Sequence, residues 1–110
     1  MIKKIKLKDI AYARSGDKGS ASNVGLIFIS DKLYNWGVDY LTEEIVAEYF
    51  SEIAKGGVKR YLLKNLNAIN YMLYDSLDGG GSESLLNDAQ GKTHGQAFLR
   101  MDIEVPSELL

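Results

Sequence analysis

The run Val24-Gly25-Leu26-Ile27-Phe28-Ile29 constrains the fold more than any other stretch of this chain. None of these six residues has a polar side chain, so neither face of a strand built from them asks for water. It reads as a strand buried on both faces. It is also far too short for the roughly 20 residues of a membrane-spanning helix, and no other apolar run comes closer. The N-terminus has no apolar stretch of signal-peptide type, so cytoplasm is the expected location.

Around this run, strand and helix patterns follow one another without a linker, a repeat or a low-complexity segment. Ile5 to Ala13 reads as a first strand. Ile5 and Leu7 share one face while Ile10 and Tyr12 share the other, and that change of parity requires a bulge or twist near Lys8–Asp9. Arg14 to Ser22 is a polar connection to the second strand. Asp31 to Tyr40 is aromatic and reads as a turn plus a short helix. Tyr34, Trp36 and Tyr40 are expected to form a packing edge.

The clearest helix is predicted from Thr42 to Lys55. Thr42 is a good N-cap, and Glu43 and Glu44 suit the positive end of the helix dipole. Leu41 and Val46 are spaced as a hydrophobic staple. Ile45, Val46, Tyr49, Phe50 and Ile53 form one apolar stripe, and Gly56-Gly57 supplies the stop.

Val58 to Leu63 reads as a third strand. Residues 66–77 fit two patterns. Leu66, Ile69, Leu73 and Leu77 fall at helical spacing, while Ile69, Tyr71 and Leu73 also alternate as a strand. The length of the run favours the helix. Gly79-Gly80-Gly81 breaks the chain, Ser82 to Asn87 fits a short strand and Asp88 to Gly91 a turn. Lys92 to Arg100 then reads as a helix with Ala97, Phe98 and Met101 inward. Met101 to Val105 alternates cleanly as a strand with one wet face, ended by Pro106. The whole, residues 1–110, is expected to be a single α/β domain, long enough for one core.

Composition narrows the chemistry. A net charge of −2 argues against nucleic-acid binding, which needs clustered cations. The basic start, Lys3, Lys4, Lys6 and Lys8, reads as the wet face of a strand. The absence of cysteine excludes thiol catalysis, disulfides, iron–sulfur clusters and thiolate zinc sites.

Three polar, glycine-containing segments remain as candidate sites. In the first, residues 13–23, Gly16 and Gly19 would let backbone N–H groups turn toward one point, as in an anion-binding nest. Arg14 and Lys18 add charge, and Ser15, Ser20 and Ser22 add donors. The ligand class is a phosphate or a carboxylate. The plainer alternative is a solvated loop in which Asp17 caps its own turn.

The second segment, residues 77–85, carries the three glycines, which suit a sharp bend or a close backbone approach but fit a flexible turn better. The third, residues 88–94, contains Gly91-Lys92-Thr93. A phosphate-binding P-loop would need glycine at position 86, which is Leu86, so a nucleotide triphosphatase is rejected. Lys92 would still sit at a helix N-terminus, where anions are favoured.

His94, the only histidine, has no nucleophile and carboxylate at triad spacing. It reads as a polar residue on a helix's first turn. Asp17, Asp78, Glu83 and Asp88 lack the spacing of a calcium loop, so no metal and no cofactor are expected.

Taken in order, Ala-Arg-Ser-Gly-Asp-Lys-Gly at 13–19, Ser-Asn-Val-Gly at 22–25, Asp-Gly-Gly-Gly-Ser-Glu-Ser-Leu at 78–85 and Asp-Ala-Gln-Gly-Lys at 88–92 resemble the AtuA-like ferredoxin-fold domain. AtuA stands for acyclic terpene utilisation protein A. The resemblance spans about Ile5 to Pro106. It implies a ferredoxin-like α+β sandwich, with a mostly antiparallel sheet and helices packed on one face. It also implies an association with acyl-CoA metabolism, in terpenoid or branched-acid breakdown.

In that family the domain is commonly the C-terminal part of a longer protein and also occurs as a short chain. The larger N-terminal domain is expected to be absent from this chain. The expected role is therefore an accessory subunit of a separately encoded AtuA-like large chain, not catalytic alone. A self-contained homo-oligomeric acyl-CoA-binding protein or enzyme, and a purely structural assembly domain, are the alternatives. In each case a homo- or hetero-oligomer is expected. The candidate ligand-binding residues are Arg14, Ser15, Gly16, Asp17, Lys18, Gly19, Asn23, Gly80, Gly81, Asp88, Gln90 and Lys92, with no catalytic residue assigned. Ser20 stands where members often carry a second acid, which weakens an acid–base role for the first segment.

Overall fold

The computed structural model describes residues 1–18, 21–51, 54, 56–74 and 94–110. Two antiparallel sheets organise them. The larger has the order β2-β3-β5-β4, formed by β2 (Ala11–Lys18), β3 (Ala21–Phe28), β5 (Ala68–Leu73) and β4 (Val58–Leu63). The smaller is a ribbon in which β1 (Ile2–Lys6) pairs with β6 (Asp102–Pro106). Three helices accompany the sheets: α1 (Asp31–Tyr40), α2 (Glu43–Tyr49) and α3 (residues 94–99).

The apolar run does form a central strand, flanked by β2 and β5. It is fully buried on one face only. Val24, Leu26 and Phe28 are buried with Ile69, Tyr71 and Leu73 of β5, whereas Gly25, Ile27, Asn70 and Met72 on the other face are half-buried. All three helices contribute to the core on the covered side, through Leu33, Tyr34, Val46 and Phe98. The second layer that an all-apolar run seemed to call for is not among the described residues.

The first strand is in fact two. A 3-10 turn at Leu7–Asp9 separates β1 from β2, and this turn produces the change of parity read in the sequence. It also buries Leu7 and Ile10, and Leu7 N–H donates to Met101 O across the junction at 2.9 Å. The ribbon is charge-matched, since Lys6 lies opposite Asp102 and Lys4 opposite Glu104. The Lys6 ammonium holds the Asp102 carboxyl below its ordinary range.

Two expectations fail. Arg14 to Ser22 is not a loop: β2 and β3 pair in continuous register as far as Lys18↔Ala21. Polar residues are tolerated there because β2 is an edge strand with one open face. Residues 68–73 are strand rather than helix. β5 lies between β3 and β4, so the sheet satisfies its backbone on both sides. Leu66, which completed the helical spacing, sits instead in a 3-10 turn and is 65% exposed. Asn67, with φ of 52°, closes that turn, and asparagine tolerates this left-handed conformation better than most residues.

The helix capped by Thr42 is confirmed at its start, where the Thr42 hydroxyl accepts from Ile45 N–H at 3.3 Å. Its span is shorter than the stripe suggested. Phe50 leaves helical geometry, with φ −100° and ψ 25°, and its ring packs edge-on against Phe98. Asp31 to Tyr40 is a full ten-residue helix capped by Ser30, whose hydroxyl accepts from Leu33 N–H. The predicted strand at Ser82–Asn87 lies outside the described residues.

The end of α1 is tied to the sheet by buried and half-buried polar bonds. The Arg60 guanidinium donates to Val38 O at 2.7 Å and Leu41 O at 3.2 Å, and the buried Tyr71 hydroxyl donates to Leu41 O at 2.7 Å. Burial pushes the Tyr71 phenol well above its ordinary value, so it remains a donor. Arg60 N–H also donates to the Glu43 carboxylate at 2.8 Å, which fixes the first turn of α2.

Helix α1 approaches β3 closely at Gly37. A Cβ there would come within 2.5 Å of the Phe28 ring, and Phe28 is buried. Alanine is intrinsically better than glycine inside a helix by about 1 kcal/mol, but overpacking a closed core costs about 1–3 kcal/mol. Gly37→Ala is therefore expected to lower the urea midpoint despite its helix propensity. Gly37→Ala combined with Phe28→Leu should recover most of the loss, and a rise in midpoint for the single variant would contradict the close approach.

Candidate functional site

The two faces of the larger sheet separate the residues of the first polar segment. Position 15 lies on the covered face and positions 14 and 16 on the open face, because side chains alternate along a strand. The Arg14, Gly16 and Asn23 positions thus share the open face, while Ser15 faces the helices. Asp17 and Lys18 pair through their backbones with Ser22 and Ala21. Gly16 lies in the regular ladder opposite Asn23. Gly19, Gly80, Gly81, Asp88, Gln90 and Lys92 lie outside the described residues, as does any approach of the second and third segments to the first.

On the open face, cross-strand register sets Arg14, Gly25, Asn70 and Tyr61 in one row. Tyr12, Ile27, Ala68 and Leu63 form the row beside it. Tyr12 is 68% exposed, and Tyr61, Leu63 and Leu66 are also exposed. Asn23 Nδ2 donates to Asn70 Oδ1 at 2.8 Å, which orients the Asn70 amide. A concavity of about 380 Å³ opens here, lined by Arg14, Gly25, Ile27, Ala68 and Asn70, with Leu63 and Leu66 at one end. Among the described residues no carboxylate pairs with Arg14.

The covered face contains a contact the sequence did not disclose. Ser22 Oγ and His94 Nδ1 lie 2.9 Å apart, both buried, 72 residues apart in the chain. His94 lies in α3, beside the Phe50 ring. Gly95 follows it so close to β2 that a Cβ would meet Ser15 Oγ at 2.6 Å. The signal available in the sequence was a lone histidine followed by glycine at a helix start, which does not reveal a partner so far away.

A serine hydrogen-bonded to an imidazole is two parts of a nucleophilic site. Among the described residues no carboxylate is hydrogen-bonded to His94, and the contact ties α3 to β3. Among the described residues no group of three or more histidine, aspartate or glutamate side chains is placed to hold a metal ion. Likewise, no described helix is long and apolar enough to cross a membrane.

The antiparallel sheet with helices on one side agrees with the fold implied by the motifs. The model of the AtuA ferredoxin-like domain family matches residues 5–104. The chain belongs to this family. No curated protein and no solved structure matches it. The match to the AtuA ferredoxin-like domain takes in β2, β3, β4, β5, the described helices and half of the β1–β6 ribbon, so the open face belongs to the family domain itself.

Burial lowers the His94 pKa from its ordinary value. The unfolded chain, with a histidine near pH 6.5, takes up a proton first as the medium is acidified. The stabilisation from neutral His94 is therefore complete above about pH 6.5 and is lost as pH falls through the lower folded value. Melting temperatures measured between about pH 7 and pH 5 should fall, and the fall should be smaller in His94→Gln. Equal slopes for the two proteins would show that His94 is not the titrating group.

Proposed function

We propose that this chain is an accessory subunit that docks its open sheet face on a separately encoded, larger AtuA-like chain and presents an anion-binding group to it. The observation that carries the reading is the unequal cover of the larger sheet. One face holds the core, whereas the other exposes Tyr12, Tyr61 and Leu63 around Arg14. Contiguous exposed apolar side chains with a polar element among them suit a protein interface, and aromatic residues and arginine are the types that dominate such interfaces. Arg14 supplies a guanidinium for a carboxylate or phosphate. The chain belongs to the AtuA ferredoxin-like domain family, and the proposal takes from that resemblance its setting in acyl-CoA metabolism.

Co-expression with a larger AtuA-like chain, followed by size-exclusion chromatography, tests the reading. The two chains are expected to co-elute. Tyr12→Asp should weaken the complex by at least about ten-fold, the loss expected of an interface aromatic worth more than 1 kcal/mol. Its melting temperature should hold, since Tyr12 is 68% exposed. Separate elution of the wild-type chains, or a Tyr12→Asp complex of unchanged affinity, would refute the docking face.

A further inference from the structure

We propose that the concavity on the open face is a binding site for a monocarboxylate with a small aliphatic body, which names the ligand of the anion-site reading above. Its floor is Gly25, at the middle of the central strand β3. Glycine weakens a strand interior, and where it occurs it often marks a close approach by a ligand or another backbone. No described element covers Gly25, and a Cβ built there would meet only Asn70 Oδ1 at 3.7 Å and Arg14 O at 3.8 Å, ordinary contacts. Among the described residues nothing demands glycine at this position. A guest resting on the floor would.

Arg14 and Asn70 flank Gly25 directly across the sheet. Two inter-strand spacings put their Cα atoms about 10 Å apart, wide enough for a carboxylate between the side chains. Asn70 Oδ1 is engaged by Asn23, which leaves the Asn70 Nδ2 group as the donor. Arg14 offers a planar fork, matched to the two oxygens of a carboxylate. Beyond these two groups the described lining is aliphatic, with Ile27 and Ala68 along the floor and Leu63 and Leu66 at the end.

That balance favours a carboxylate over a phosphate monoester. Arg14 is the only cation lining the concavity among the described residues. It neutralises a monoanion. A phosphate monoester near neutral pH carries up to two charges, and the second would be desolvated against aliphatic walls without a partner. An uncharged alcohol would leave the guanidinium unused.

The test uses the full chain alone, with hexanoate, hexyl phosphate and hexanol as probes and amide chemical shifts as the readout. Hexanoate should saturably shift the Gly25 and Asn70 backbone amides and the Asn70 side-chain amide. Hexyl phosphate and hexanol should bind at least about ten-fold more weakly. Arg14→Gln should weaken hexanoate by about ten- to hundred-fold, as loss of a charge-assisted pair predicts. Gly25→Val, which fills the floor, should abolish binding with the melting temperature kept. Gly25→Ala, a smaller change with room for its Cβ, should weaken binding even if the valine variant does not fold.

Absence of a saturable shift with millimolar hexanoate overturns the site. So does equal affinity for hexanol or hexyl phosphate, or undiminished binding by Arg14→Gln. Hexanoate binding by a chain that fails to co-elute with the larger partner would leave this site standing and remove only the docking face. Co-elution without hexanoate binding would do the reverse.

Discussion

The corner between α1 and α2 depends on one carbonyl oxygen. Leu41 O, at the end of α1, accepts from both the Arg60 guanidinium and the Tyr71 hydroxyl. A helix end buried without partners would carry a desolvation cost of about 1–3 kcal/mol for each unpaired group. Here the donors come from two adjacent strands, so capping the helix also fixes its position against the sheet. Much follows from that placement. Gly37 can lie against Phe28, and Arg60 N–H meets Glu43 where α2 starts. Phe50, just past α2, then closes on Phe98 and His94 of α3.

These contacts all lie on one side of the sheet. The other side has rows that alternate aromatic, aliphatic and amide groups around a glycine floor. Hydrophobic burial stabilises the covered side at about 25 cal/mol per Å² of apolar area removed from water, while the same strands leave comparable side chains in contact with solvent on the other. A guest on such a face would meet a backbone already held in a ladder, which needs little further ordering. The concavity and the exposed tyrosines are parts of this one asymmetry.

Much of this was legible in the sequence where local chemistry and tertiary context agree. Thr42 is an N-cap because its hydroxyl can reach a nearby N–H, and nothing distant alters that. Asp102 to Pro106 alternates because the ribbon has one wet face. Residues 68–73 were misread because leucine and isoleucine spacing cannot tell a helix from a strand placed between two others. Position 66 belongs to the turn before β5 and only completed the helical spacing by coincidence. The polar segment from Arg14 was misread for a related reason. Glycine and serine look like loop residues, yet on an edge strand their backbone bonds are satisfied on one side and solvated on the other. Arg14 is a candidate from its residue type, but its position opposite Gly25 and its separation from Ser15 onto another face depend on register. The Ser22–His94 contact was beyond reach, since nothing local links residues 72 positions apart.

The β1–β6 ribbon has an architectural consequence. Ile2 lies opposite Pro106, and Ser107 N–H donates to Met1 O at 2.7 Å, so the two ends of the folded unit stand side by side. A domain whose ends meet can be set into a surface loop of a host protein without stretching either connection, and its termini can be joined and reopened elsewhere. In such a fusion both tethers would run from the ribbon, which belongs to neither face of the larger sheet. The unit could then be carried as a pendant, with its glycine-floored face still free to meet another surface.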